Sequence, residues 1–135
     1  PDFSITMNDG SIVTGAALRQ SVSVIVFFHT SCPDCRKTLP VLQKIYDEYA
    51  SRGVRFALIS RAEAQDSVSS FWQEQGLTMP FSAQNDRKVY EMFAASLVPR
   101  VYICRYGIIE YIFTDDPVPS YDDLNLALVK SEKKQ

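Results

Sequence analysis

Two cysteines lie three residues apart in the segment Cys32-Pro33-Asp34-Cys35, soon after the apolar run Val24–Phe28. This position predicts a helix that follows a buried strand and carries the pair in its first turn, because Pro is tolerated where a helical N–H would be unpaired. Side chains three residues apart in a helix face each other, so the two sulfur atoms can come within disulfide distance. The spacing therefore predicts a redox-active dithiol.

The two thiols of this pair are expected to differ in reactivity. Cys32 precedes the helix, where unpaired backbone N–H groups and the positive end of the helix dipole favour a thiolate. We therefore predict that Cys32 is the exposed nucleophile and that Cys35, one turn deeper, resolves the mixed disulfide. Asp34 places a carboxylate beside Cys32 and opposes that thiolate, which favours a reducing couple.

A second element of the predicted site is Val98-Pro99, directly before the strand predicted at Arg100–Arg105. A cis bond before Pro99 would turn the chain sharply past the dithiol. The backbone of Val98 could then pair with an extended substrate segment, in the manner of strand addition. We expect Val98 and Pro99 to form the substrate-binding side of the site.

The surrounding segments predict a single α/β domain over residues 1–135. Alternating apolar and polar residues around Asn8-Asp9-Gly10 predict an N-terminal hairpin. The remaining segments alternate between strands and helices, which requires a parallel central sheet, and a closing hairpin adds an antiparallel edge. Residues 131–135 are expected to form a frayed tail. The predicted strands are Ser21–His29, Val54–Ser60, Met79–Ala83, Arg100–Arg105 and Ile108–Phe113, and the predicted helices run from the dithiol to Ala50 and over Asp66–Gln75, Asp86–Ser96 and Tyr121–Lys130.

The composition argues against several classes of protein. The chain has 14 Lys and Arg against 16 Asp and Glu, a formal net charge of −2, which is unusual for a protein that binds nucleic acid through phosphate contacts. The longest apolar run is far shorter than the roughly 18 residues of a membrane-spanning helix. A structural zinc site needs four ligands, and His29 is the only histidine while Cys104 falls inside a predicted strand. We therefore expect no nucleic acid partner, no transmembrane segment and no metal.

Taken together, these segments resemble the thioredoxin-like superfamily, in particular the exported thiol–disulfide oxidoreductases of the TlpA/ResA type. The resemblance covers about residues 3–130 and is carried by His29–Lys37, Pro40, Asn85–Tyr90 and Leu97–Ile103. It implies a thioredoxin-like fold with a central mixed sheet flanked by helices. It also implies an N-terminal β-hairpin and an extra helical insertion before the cis-Pro loop.

The same resemblance implies an activity. It implies an enzyme that reduces protein disulfides through the Cys32–Cys35 pair, with electrons from an upstream dithiol protein and no cofactor beyond that redox-active disulfide. It implies a bacterial protein that works outside the cytoplasm, in the periplasm or tethered to the membrane. We expect this protein to be a monomer.

Two further residues are candidates for modulating the thiols. The resemblance places Glu63 near the two sulfur atoms as a proton acceptor for Cys35. The alternative for Glu63 is an otherwise idle acid that favours the start of a helix. His29 lies three residues before Cys32 and could modulate its thiolate, or it could be a polar residue at the end of a strand.

Some positions depart from the resemblance. Ser31 stands where many relatives have Trp before the first cysteine, and Arg100 stands after Pro99, where Thr is frequent. The buried acid that thioredoxin itself uses as a proton relay falls on Val26, which cannot carry a proton. These departures argue against a general cytosolic thioredoxin, but they leave the dithiol in place.

Other functions stay open at this point. One is a non-catalytic interaction module of thioredoxin fold, in which the dithiol is vestigial. Another is a peroxiredoxin-like peroxidase, although its usual Pro-x-x-x-Thr-x-x-Cys pattern fails, because the residue seven before Cys32 is Ile25. A glutaredoxin-like protein shares the Cys-Pro-x-Cys spelling, but the chain is longer and shows no evident clamp for the glutathione carboxylates. Cys104 is expected to be a small buried hydrophobic residue.

Overall fold

The structure, a computed structural model, describes residues 2–93 and 97–133. The chain alternates between strands and helices after an N-terminal hairpin, as the sequence predicts. The strands are β1 (Ser4–Thr6), β2 (Ile12–Thr14), β3 (Val22–Phe28), β4 (Arg55–Ser60), β5 (Phe81–Ala83), β6 (Arg100–Arg105) and β7 (Ile108–Phe113). The helices are α1 (Gly15–Leu18), α2 (Pro33–Tyr49), α3 (Gln65–Gln75), α4 (Lys88–Glu91) and α5 (Tyr121–Lys133).

The central sheet has five strands in the order β5-β4-β3-β6-β7. Strand β4 pairs in parallel with both β3 and β5, whereas β6 is antiparallel to both β3 and β7. All seven residues of β3 are buried, as expected for a central strand that is covered on both faces. The predicted mixed sheet is therefore confirmed, with a parallel core and an antiparallel closing hairpin.

Alternate side chains of β3 enter two separate hydrophobic cores. Val24 and Val26 pack on the face that α2, α3 and α5 cover. Ile25 and Phe27 pack on the opposite face, together with residues of the N-terminal hairpin, α1 and α4. The strand that leads to the dithiol is therefore fixed from both sides.

The predicted N-terminal hairpin is present and closes the second core. Strands β1 and β2 are antiparallel, with Ile5 opposite Val13. The turn is tied to β5, because Asn8 exchanges backbone and side-chain hydrogen bonds with Phe81. The short helix α1, which the sequence analysis did not predict, follows the hairpin and is capped by the side chain of Thr14.

Helix α2 carries the dithiol at its start and packs along the first core. This helical segment ends in a 3₁₀ turn over Ala50–Arg52, which is followed by Gly53 with a φ of 89°. Gly53 adopts the left-handed conformation without the steric cost that a side chain would add. One face of α2 is buried, and its residues include Leu39, Leu42, Ile45 and Tyr49.

Helix α4 is shorter than predicted. The sequence predicts a helix over Asp86–Ser96, but the helix covers only Lys88–Glu91, and residues 94–96 lie outside the described residues. At its start, the Asp86 carboxylate accepts the N–H of Lys88 at 2.9 Å, a local turn that competes with the helix. At its end, the N–H groups bond to carbonyl oxygens three residues back, so the helix tightens into a turn.

Helix α5 is longer than predicted, because it continues past Lys130 to Lys133. Ser131 is fully buried, and its hydroxyl donates to the Glu110 carboxylate of β7 at 2.9 Å. This contact stabilises the last turn of the helix. The prediction of a frayed tail is therefore wrong for residues 131–133, and residues 134–135 lie outside the described residues.

Candidate active site

The dithiol lies at the carboxyl end of β3, where the chain leaves the sheet and enters α2. Cys32 caps the helix: its sulfur accepts the backbone N–H of Cys35 at 3.2 Å, and its own N–H donates to the carbonyl oxygen of His29 at 3.1 Å. Both cysteines are free thiols, close together within one helical turn.

The two thiols differ in exposure and in their cost of ionisation. Cys32 is partly exposed, whereas Cys35 is fully buried. Burial raises the pKa of the Cys35 thiol, and its hydrogen bond with Cys32 raises the pKa further, while a backbone hydrogen bond from His29 acts in the opposite direction. Cys35 is therefore protonated at neutral pH while both cysteines are free thiols. Cys32 is the sulfur of this pair that a dissolved disulfide can reach.

The loop before β6 passes directly beside Cys32. The peptide bond between Val98 and Pro99 is cis, and the sulfur of Cys32 lies 3.5 Å from the carbonyl oxygen of Val98. The hydroxyl of Tyr90 in α4 donates to the carbonyl oxygen of Leu97 at 2.8 Å, which anchors the start of this loop. The structure thus places Val98 and Pro99 at the dithiol.

A buried carboxylate lies behind the strand end. Glu63 is only 7% exposed, and it accepts hydrogen bonds from both the backbone N–H and the hydroxyl of Thr30. The Nδ1 atom of His29 lies 3.9 Å from this carboxylate and accepts the N–H of Ser31 at 3.1 Å. Glu63 thus contacts Thr30 and lies near His29, and it also stands two residues before the start of α3. The idle acid at a helix start stays the alternative. The role of Glu63 as a proton acceptor for Cys35, and the effect of His29 on Cys32, stay predictions.

The two residues between the cysteines open α2. Pro33 occupies the first helical position and is exposed, and Asp34 is half-buried in the first turn. The carbonyl oxygen of Asp34 accepts the hydroxyl of Thr38 at 2.8 Å, which fixes its backbone in the helix. The carboxylate of Asp34 interacts favourably with the positive end of the helix dipole, and it adds a negative charge near Cys32. The expected opposition between Asp34 and the Cys32 thiolate stays a prediction.

Arg61 is a residue of this region that the sequence analysis did not identify. It directly follows β4, and its N–H donates to the carbonyl oxygen of Phe28, the last residue of β3, at 3.2 Å. Its guanidinium stacks 4.5 Å from the ring centroid of Tyr90, and the Nη1 atom is buried without a hydrogen-bond partner. Its position directly after β4 could have identified it from the sequence. The carboxyl ends of parallel strands meet at one edge of a sheet, and active sites form at that edge.

The segment that carries Arg61 and Glu63 is held by its backbone. Besides the bond from Arg61, the N–H of Ala62 donates to the carbonyl oxygen of Asp86, and the N–H of Glu63 donates to that of Gln84, both at 2.9 Å. Three consecutive amides are therefore bonded to neighbouring segments. All three hydrogen bonds join backbone atoms.

A cluster of metal ligands or a membrane-spanning helix would indicate another kind of site. Within residues 2–93 and 97–133, His, Cys, Asp and Glu side chains form no group of three or more that could hold a metal ion. Over the same part of the chain, every helix is too short or too polar to cross a membrane. Cys104 is buried in β6, as predicted.

Comparison with known families gives a match over most of the chain. A profile of the AhpC/TSA family matches residues 1–112. The chain belongs to the AhpC/TSA family. The matched span includes the dithiol, the segment after β4 and the Val98-Pro99 loop, so the whole site described above lies within the family domain.

A curated relative with a similar sequence is the thiol-disulfide oxidoreductase ResA of Bacillus subtilis. It is 23% identical over 103 residues, which cover 76% of this chain and 58% of ResA. ResA of Oceanobacillus iheyensis is 26% identical over 109 residues, which cover 78% of this chain and 57% of that protein. The chain therefore spans less than two thirds of the length of these relatives.

Solved structures show that this AhpC/TSA domain has a thioredoxin-like fold. A secreted disulfide oxidoreductase of Mycobacterium tuberculosis, described as homologous to E. coli DsbE, superimposes with a TM-score of 0.82 at 20% identity and covers 95% of both chains. A thiol:disulfide interchange protein of the thioredoxin family from Chlorobium tepidum has a TM-score of 0.80 at 23% identity, with 97% of this chain and 93% of that chain covered. The predicted fold family is confirmed.

Proposed function

We propose that this protein is a thiol–disulfide oxidoreductase that reduces protein disulfides through Cys32. The observation that carries the proposal is the pairing of a partly exposed sulfur at a helix start with a buried thiol in the first turn of the same helix. The similarity to ResA, a thiol-disulfide oxidoreductase, supports it. The binding-module and peroxidase alternatives have no comparable support.

The proposed reaction consists of two exchanges at sulfur. The Cys32 thiolate attacks one sulfur of the substrate disulfide and forms a mixed disulfide, and the other substrate sulfur leaves with the electron pair and takes a proton. Cys35 then loses its proton and attacks the sulfur of Cys32, which releases the second substrate sulfur as a thiolate. The substrate gains two electrons, and the protein is left with a Cys32–Cys35 disulfide. A second dithiol protein returns the electron pair, and no metal or organic cofactor takes part.

The loop before β6 forms the substrate side of this site in the proposal. The carbonyl oxygen of Val98 lies within 3.5 Å of the attacking sulfur, so a substrate strand that pairs with Val98 would place its own sulfur beside Cys32. Pro99 cannot donate an N–H, which leaves Val98 as the pairing residue.

We further propose a location outside the bacterial cytoplasm, either in the periplasm or at the membrane surface, and a monomeric state. The support for this location is the similarity to a mycobacterial protein described as secreted and to exported oxidoreductases of the ResA type. Disulfides of client proteins persist in such oxidising compartments, where a reducing dithiol would find substrates.

The proposed activity is tested by the reduction of insulin with dithiothreitol as the electron source. We expect turnover with the unmodified protein, loss of turnover to the uncatalysed rate in Cys32→Ser, and unchanged turnover in Cys104→Ser, the matched control. A parallel assay measures the consumption of hydrogen peroxide, and we expect none above the control. Equal insulin turnover in the unmodified protein and Cys32→Ser would reject the proposal, and rapid peroxide consumption would favour the peroxidase.

A further inference from the structure

The first exchange of the proposed reaction depends on the direction of the Val98 backbone. The carbonyl oxygen of Val98 lies 3.5 Å from the Cys32 sulfur. In the proposed reaction a client strand pairs with Val98, and this pairing brings the client disulfide to Cys32. Hydrogen bonds between strands weaken steeply when donor and acceptor are misaligned. The contacts that fix the peptide units next to Val98 therefore determine how well a client polypeptide is placed.

Leu97, the residue before Val98, has an unusual backbone conformation. Its φ is 73°, in the left-handed region, where a side chain crowds the following carbonyl oxygen. The Leu97 side chain is 49% exposed, so packing covers only about half of it. A residue in this region keeps its conformation only where its surroundings hold it. Relaxation of Leu97 to a negative φ would turn the peptide unit that leads into Val98.

The hydroxyl of Tyr90 holds this peptide unit. It donates to the carbonyl oxygen of Leu97 at 2.8 Å. The carbonyl group of Leu97 and the N–H of Val98 belong to one planar peptide unit, so a contact that fixes the carbonyl also fixes the N–H. Tyr90 is fully buried in the second hydrophobic core, where a hydroxyl needs a hydrogen-bond partner. Tyr90 is thus linked through a single peptide unit to the residue beside Cys32.

The ring of Tyr90 is held independently of its hydroxyl. The guanidinium of Arg61 lies 4.5 Å from the ring centroid, and that of Arg87 lies 5.2 Å from it. The ring of Phe27 in β3 packs against it edge to face, with the centroids 5.5 Å apart. These contacts involve the aromatic ring and not the oxygen atom. Removal of the hydroxyl alone should therefore leave the ring in place and release only the Leu97 carbonyl.

We propose that Tyr90 is a positioning residue that holds the N–H of Val98 in the direction that a client polypeptide needs. The inference rests on the proposed function, because it assigns a role in client binding within that reaction. Tyr90 does not touch the reacting sulfur atoms, and the bonds that form and break are those of the proposed exchanges. The hydroxyl therefore affects the reduction of disulfides in polypeptides, which can pair with Val98, and not the reduction of small disulfides that have no backbone.

Two substrates separate client placement from the chemistry at sulfur. Insulin has a backbone that can pair with Val98, whereas dithiobis(nitrobenzoate) has none. Steady-state reduction of insulin with dithiothreitol gives kcat and KM. Stopped-flow release of the first coloured thiolate from dithiobis(nitrobenzoate) gives the rate of attack by Cys32. Both measurements are made in the Cys104→Ser background, so that only the dithiol reacts.

Tyr90→Phe removes the hydroxyl and keeps the ring. We expect the KM for insulin to rise about three- to tenfold, because the loss of one hydrogen bond changes an equilibrium by about this factor. The kcat should stay within about twofold, since pairing with Val98 contributes equally to the bound substrate and to the transition state. The rate with dithiobis(nitrobenzoate) should also stay within about twofold. 4-Aminophenylalanine in place of Tyr90 keeps a donor for the Leu97 carbonyl and should retain the parent KM.

The matched control is Tyr49→Phe. Tyr49 is also fully buried, and its hydroxyl donates to the side chain of Asn125. It is the last residue of α2, at the opposite end of that helix from the dithiol. This variant therefore loses a comparable hydrogen bond without any change at Leu97. We expect its kinetics with both substrates to equal those of the parent protein.

The outcomes distinguish the role of Tyr90 from the proposed function. A KM for insulin that is unaltered in Tyr90→Phe, or raised equally in Tyr49→Phe, overturns the role of Tyr90 and leaves the proposed function intact. Equal slowing with both substrates in Tyr90→Phe also overturns this role. A parent protein that reduces neither substrate overturns the proposed function itself. Thermal melts identify variants that fail to fold. If Tyr90→Phe fails to fold, 4-fluorophenylalanine at this position fills the space of the hydroxyl without donating and takes the place of that variant.

Discussion

Cys35 and Cys104 are both buried thiols, but they lie in very different surroundings. Burial raises the pKa of each thiol, to about 11 for Cys104. Cys35 lies in the first turn of a helix, behind a second sulfur that reaches the surface. Cys104 lies in β6 opposite Ser23 of β3, within the second hydrophobic core. Burial thus disfavours the thiolate of both cysteines, and the two differ because Cys35 lies beside a second, partly exposed sulfur.

The largest predicted difference concerns the reactivity of the exposed and the buried thiols. At pH 8, iodoacetamide should label Cys32 at least about 100-fold faster than Cys104, because only a small fraction of a thiol with a pKa near 11 is ionised at this pH. Labelling of Cys104 should rise about tenfold per pH unit below that value, as long as the fold persists. Peptide mass spectrometry over a time course measures both labelling rates. Equal rates would mean that Cys104 is as reactive as Cys32, which contradicts the comparison.

The next prediction separates the two buried thiols by their part in turnover. Cys35→Ser should lower insulin reduction at least about tenfold and accumulate a mixed disulfide at Cys32, because the resolving exchange is lost. Cys104→Ser should do neither. Non-reducing electrophoresis and intact-mass measurement detect the trapped species. Comparable losses in both variants would mean that Cys104 also takes part.

A smaller effect is expected at Glu63. Glu63→Gln keeps an oxygen that can accept from Thr30 but removes the ability to take a proton. If the carboxylate accepts the Cys35 proton, the attack of Cys35 on the mixed disulfide should therefore slow about threefold near pH 7. Stopped-flow release of the second thiolate from dithiobis(nitrobenzoate) measures this rate. The acidic limb of the pH–rate profile should change at the same time. Thr30→Ser, which preserves both donors to the carboxylate, is the control. An unaltered pH–rate profile in Glu63→Gln would contradict a role for Glu63 as the acceptor of the Cys35 proton.

The smallest predicted effect concerns the charge of Asp34 beside Cys32 at the start of α2. Asp34→Asn removes a half-buried negative charge near Cys32, which should favour the thiolate and raise the reduction potential by on the order of 10 mV. Asp47→Asn, which removes the same charge farther along α2, is the matched control and should leave the potential unchanged. Redox titration against glutathione measures both variants. A lower potential in Asp34→Asn contradicts the argument.

The parts of the site that the sequence predicts are those determined by local chemistry. The Cys-x-x-C spacing, Pro33 at the first helical position and the apolar run before it act within one short segment. They predict the strand–dithiol–helix unit, and the alternation of the later segments predicts the mixed sheet. An X-Pro pair directly before a predicted strand indicates Val98 and Pro99, and the family resemblance covers the same segment.

The parts that the sequence analysis missed depend on contacts between distant segments. Arg61 belongs to the site because β4 pairs with β3, and Thr30 holds Glu63 across the same edge. Nothing in the sequence near Ser131 reveals its hydrogen bond with Glu110, which extends the last helix. Helix propensity at Asp86 and Arg87 was likewise overridden, because the Asp86 side chain forms a local turn before α4.

The backbone bonds of residues 61–63 have an evolutionary consequence. Each of these three amides is anchored to a carbonyl oxygen of another segment through its main-chain N–H. Substitutions that keep this N–H, and that tolerate the φ of 52° at position 62, can therefore alter the charge at this edge of the sheet without displacing the polypeptide. The chemistry beside the dithiol can thus diverge among descendants, while the architecture that presents it is inherited unchanged.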